Sequence, residues 1–91
     1  MTRQEMKQFL LDNGIPVQQV GRWQPRGLYV ADFYSKLMKE PVQPAAHYEA
    51  EILRVLPGAQ VVSTHDTLAH WREGEPVLWA SVTFRVNGEG L

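Results

Sequence analysis

The chain contains no cysteine, and that absence removes disulfides, thiolate zinc sites and cysteine nucleophiles together. A cysteine-free domain fits a reducing compartment, so a cytoplasmic setting is expected. Long hydrophobic runs are lacking too. Nothing approaches the roughly 20 apolar residues needed to span a bilayer, and Arg3, Glu5 and Lys7 interrupt the short apolar groups near the start, unlike a signal peptide. Neither sign of charge is in excess, with nine Lys plus Arg against ten Asp plus Glu. A net charge of −1 argues against a strongly basic nucleic-acid binder and equally against an acidic DNA mimic. The seven glycines are scattered at turns and ends, so no phosphate-cradling loop leads from a strand into a helix. No cofactor is expected.

What remains is a 91-residue chain, 44% hydrophobic and 21% charged. That length suits one domain over residues 1–91, burying roughly 60–65% of the surface its unfolded form exposes. Thr2-Arg3-Gln4-Glu5 reads as a capping box. Met6, Phe9, Leu10 and Asn13 follow at helical spacing, and Asn13-Gly14 with Pro16 ends the helix. Residues 17–23 and 28–34 read as a hairpin closed by Gln24-Pro25-Arg26-Gly27, a type I turn sequence. If Trp23 pairs with Leu28, Val20 shares a face with Tyr29, Ala31 and Phe33. Gln19, Gly21, Trp23, Leu28, Val30 and Asp32 then take the other face.

Residues 35–43 form a connector, and Pro44 suits the first position of a second helix. Ala45, Tyr48, Ile52, Val55 and Leu56 make that helix's apolar face, with His47, Glu51 and Arg54 turned away. Pro57-Gly58 ends it. In the last third, Leu78, Ala80, Val82, Phe84 and Val86 alternate strictly with Val77, Trp79, Ser81, Thr83 and Arg85, the mark of a half-buried strand. Its partner over residues 60–71 is less regular, and the polar run at 63–67 suggests a bulge or short loop. Residues 87–91 read as a flexible tail. The expected fold is α+β: helix–strand–strand twice, giving one mostly antiparallel four-stranded sheet with both helices on one face.

Candidate chemistry is sparse. His47 and Glu51 stand four apart on a helix, as two metal ligands would, but a His-Glu-x-x-His site needs a second histidine that this helix lacks. No metal is expected. His65, Asp66 and His70, with Ser63 and Thr64, include the residue types of a nucleophilic triad. Adjacent strand residues point apart, however, and no Gly-x-Ser-x-Gly elbow accompanies them.

The remaining signal is a recurrence of Trp with Arg. Arg22, Trp23 and Arg26 surround the first turn, His70, Trp71 and Arg72 enter the second, and Trp79 and Arg85 form an outward pair on the last strand. Tryptophan offers rigid apolar area and arginine a planar donor fork, which suits recognition. If both turns fall at one end of the sheet, these eight residues form a partner-binding surface. The expected function is a non-enzymatic binding module, an inhibitor or adaptor occupying the surface of a larger protein. Two alternatives stand beside it. One is single-stranded nucleic-acid binding, with bases stacked on the indoles and Lys36 and Lys39 joining the arginines on phosphates. The other is a small enzyme using His65, Asp66 or His70 in a cleft between subunits; protein binding itself includes self-association through a sheet face or edge, giving a homodimer. No membrane partner is expected.

Overall fold

The computed structural model describes residues 2–23, 27–34, 42–70 and 76–86, apart from the side chains of 23, 68–70 and 76–78. In chain order the elements are α1 (Arg3–Asp12), β1 (Gln19–Trp23), β2 (Leu28–Tyr34), α2 (Ala45–Val55), β3 (Gln60–His70) and β4 (Pro76–Arg85). The four strands form one antiparallel sheet in the order β1-β2-β4-β3. The expected α+β class is what the chain adopts.

Helix α1 starts where its capping box dictates. Thr2 Oγ accepts from the Glu5 amide at 3.1 Å, and Glu5 Oε1 accepts from the Thr2 amide at 2.8 Å. Two orphan donors are thereby satisfied at once. At the other end Asn13 closes the helix through its backbone, and its side-chain amide donates to the Phe9 carbonyl at 2.8 Å. Gly14 then turns the chain away with φ of +80°, a conformation that a Cβ disfavours. Thr2→Ala is expected to cost about 1 kcal/mol, seen as a lower urea midpoint with an unchanged slope.

The first hairpin has the expected register, Trp23 opposite Leu28, and Gly27 closes its four-residue loop with φ of +67°. Strand β1 begins at Gln19 rather than Val17. After Pro16, the Val17 amide turns back to the Ile15 carbonyl at 2.8 Å, so Val17 is buried without joining the ladder.

Strand β3 runs unbroken for 11 residues, and its one irregularity lies between Val61 and Ser63. The polar run at 63–67 is therefore regular strand, neither loop nor bulge. It is polar because β3 is an edge, where Thr64, His65, Asp66 and Thr67 are exposed. One of these residues also builds the next layer. Pro44 is the N-cap of α2, one position earlier in the helix frame than expected, and has no side-chain oxygen to offer. Asp66 supplies it across the fold, its Oδ1 accepting from the Ala45 amide at 2.8 Å. Asp66→Ala is expected to cost about 1 kcal/mol, and Asp66→Asn much less, because either Asp or Asn serves a helix N-terminus. Thermal melts of the two variants make the comparison.

The core cluster lies on one face of the sheet, while Leu28, which alternation puts on the other face, is buried as well. Val20, Tyr29, Ala31, Phe33, Ala80, Val82 and Phe84 meet Met6 and Leu10 of α1 and Ala45, Tyr48 and Ile52 of α2 in a single cluster. Helix α1 packs on β1, and α2 packs on β3 and β4. The Phe33 and Tyr48 rings stack at 3.8 Å between centroids and tie β2 to α2. Among the described residues no polar side chain is buried, and no helix is long and apolar enough to cross a membrane.

Strand order settles where the two turns emerge. Strands β2 and β4 follow their turns and are antiparallel to each other, Tyr29 facing Phe84 and Tyr34 facing Trp79. The turns therefore leave the sheet at opposite ends. The ladder from Arg85 down to the His70–Pro76 pair covers roughly 30 Å at strand rise. The expectation that both turns share one end is wrong. A half-turn between β2 and β4 exchanges β1 with β3 in strand order, and such a rotation sends the second turn the other way.

Candidate binding face

The side of the sheet opposite the core has its own order. The register aligns Gln19, Asp32, Ser81 and His65 in a row across all four strands. Because side chains alternate along a strand, this face also carries Val30 and Tyr34 of β2, Trp79, Thr83 and Arg85 of β4, and Ser63 and Thr67 of β3. None of them belongs to the core cluster. Among the described residues no helix packs over them.

Asp32 is the hub. Its Oδ1 accepts from Ser81 Oγ at 2.6 Å and from Trp79 Nε1 at 3.2 Å. The Trp79 ring lies against Tyr34, with centroids 4.9 Å apart and planes tilted by 42°. The result is an amphipathic patch on the two central strands, with an indole and a phenol side by side and a carboxylate holding the indole's polar edge. Val30, Asp32, Tyr34, Trp79, Ser81 and Thr83 are half-buried, while His65, Thr67 and Arg85 are exposed. Side chains fixed by packing and hydrogen bonds lose little rotamer freedom on binding, which favours recognition. Replacing Asp32 with Ala leaves the indole N–H and the Ser81 hydroxyl without this acceptor. A loss of about 1 kcal/mol is expected, at the low end because the site is half open to water, and chemical denaturation would record it.

The same geometry bears on catalysis. A serine nucleophile needs a base between itself and the carboxylate. Here Ser81 donates straight to Asp32, so its proton is directed to the carboxylate. His65 and Asp66 stand on opposite faces, and Asp66 is committed to α2. His70 pairs with Pro76 through the backbone, and its side chain lies outside the described residues. Glu51 Oε2 is paired with Arg54 Nε at 2.6 Å, and His47 sits edge-on to Tyr48 at 5.3 Å. Among the described residues no three potential ligands converge on a metal position.

The residues singled out from sequence are distributed unevenly. Trp79 and Arg85 stand on the helix-free face, six positions apart on β4, which is roughly 20 Å at strand rise. Arg22 is opposite Tyr29 in the ladder, on the core side. Its guanidinium lies over the Tyr29 ring, 4.6 Å from the centroid, and donates to the Tyr29 hydroxyl. Trp23 pairs with Leu28, but its side chain lies outside the described residues, as do Arg26, Trp71 and Arg72 altogether. Three members of the patch were not foreseen: Asp32, Tyr34 and Ser81. Asp32 offered one signal, a lone carboxylate in the otherwise apolar strand Leu-Tyr-Val-Ala-Asp-Phe-Tyr.

Fold and face together define a small α+β domain whose sheet is covered by helices on one side and presents an ordered aromatic–carboxylate patch on the other. No family model, curated protein or solved structure matches the chain.

Proposed function

We propose that this chain is a non-enzymatic binding module, an inhibitor or adaptor acting in the cytoplasm, that docks on a larger protein through the helix-free face. The observation that carries the reading is the Tyr34–Trp79 pair anchored by Asp32. Interfaces favour Trp and Tyr at their centre, surrounded by a polar rim. Ser63, His65, Thr67 and Arg85 supply that rim. A carboxylate at the centre and Arg85 as the face's described cation suit a protein better than a phosphate backbone, which recruits clusters of Lys and Arg. Arg22 contributes to the fold through Tyr29 rather than to this face.

The test is capture from host extract on the immobilised chain, with wild type and Trp79→Ala in parallel. Retention of a protein by wild type and its loss with the variant are expected. Equal retention by both, or retention of nucleic acid that falls steeply as salt rises, would count against the reading.

A further inference from the structure

Strand β3 is the longest in the sheet, and it is an edge. Among the described residues its only ladder partner is β4. Edge strands are ordinarily protected by shortness, by Lys or Pro, or by bulges. The opposite edge, β1, has five residues. Residues 60–70 contain no Lys, Arg or Pro, and the single irregularity at Val61/Ser63 leaves 63–70 in regular register. The one carboxylate, Asp66, is hydrogen-bonded to the start of α2.

We propose that β3 pairs antiparallel with β3 of a second copy of this chain, joining two sheets into one of eight strands with His65 on the two-fold axis. In such a pairing one residue must face its own copy, and the sequence discriminates among the choices. Centring on Asp66 sets two carboxylates opposite each other, which repels. Centring on Thr64 runs the ladder into the irregularity after two residues. With His65 at the centre, Thr64 meets Asp66 and Ser63 meets Thr67, all hydrogen-bonding pairs on matching faces. Residue 65 is also the midpoint of Gln60–His70, and in this register the pairs from Ser63 to Thr67 form before the ladder reaches the irregularity at Val61/Ser63.

A second observation supports the same edge. Arg54 and Glu51 turn toward α1, Arg54 Nη2 donating to the Asn13 carbonyl at 3.2 Å. Ala46, Glu49 and Leu53 therefore occupy the opposite flank of α2, above the outer side of β3. Leu53 is 37% exposed and Val62, on β3 itself, 48% exposed. Both become covered when a second copy joins this edge. The two helix-free faces then lie on one side of the assembly and present two Trp79 patches to a partner.

The experiment is light scattering with size-exclusion chromatography on the whole chain at roughly 100 µM, where any dimer tighter than that is populated. Wild type is expected at twice the 10.4 kDa chain mass. His65→Lys and His65→Asp each place like charges on the axis, and each is expected to weaken the dimer at least tenfold. An equimolar mixture of the two variants should restore it, because Lys then faces Asp. His65 is exposed, so both variants should keep the wild-type circular dichroism. A monomeric wild type, a dimer untouched by both variants, or a mixture that stays monomeric would each overturn the proposal.

Discussion

Phe33→Ala is expected to lower the unfolding free energy by about 3–5 kcal/mol, the usual cost of removing a fully buried aromatic ring. Phe33 has no exposed surface, sits on a central strand opposite Ala80, and stacks face to face on Tyr48. Tyr48 in turn accepts from the Gln43 amide at 2.9 Å and fixes the entry to α2. Removing the ring opens a cavity where β2, β4 and α2 meet. Domains of this size have about 5–15 kcal/mol in total, so the loss takes about a fifth of the stability at the upper end of that range and all of it at the lower end. Val62→Ala supplies the contrast. It should stay within about 0.5 kcal/mol, because that side chain is nearly half exposed and outside the core. Equal destabilisation by the two substitutions would mean that the core does not lie where the sheet places it.

Trp79→Ala is the second substitution with a large expected effect. Central aromatic anchors commonly cost about 2 kcal/mol or more on truncation, roughly thirtyfold in affinity. The loss should be partly recovered in Trp79→Phe, which keeps a ring against Tyr34 but lacks the N–H that Asp32 accepts. Arg85→Glu, at the rim, should act more weakly and mainly on the association rate. Because Trp79 is half-buried, circular dichroism of each variant must match wild type before affinity by calorimetry is read. A binding loss without any change in fold identifies the indole as an anchor. Unchanged binding identifies it as part of the scaffold.

Local chemistry made much of the fold legible. The capping box, the Asn13-Gly14 stop and the alternation of Ala80, Val82 and Phe84 all act within a few residues, and each appears where the sequence places it. Strand β3 was harder, because an edge strand need not alternate: water satisfies Thr64, His65 and Thr67 whatever their neighbours. The aromatic–carboxylate patch was harder still. Asp32, Trp79 and Ser81 meet only because β2 pairs with β4 in one register, and nothing within either strand specifies the other as its neighbour. Strand order likewise separates the two hairpin ends, which share Trp and Arg nearby in sequence yet lie at opposite ends of the sheet, roughly 30 Å apart at strand rise. Asp66 shows the same limit, since a cap delivered from 21 residues away leaves no local signature.

The most direct measurement is hydroxyl-radical footprinting of the chain with and without its captured protein partner. If the aromatic patch is where docking occurs, oxidation of Tyr34 and Trp79 falls in the complex while Leu11, exposed on α1, reacts as before. Protection of Leu11 with an undiminished signal at Trp79 would put the partner on the helical side and contradict the account.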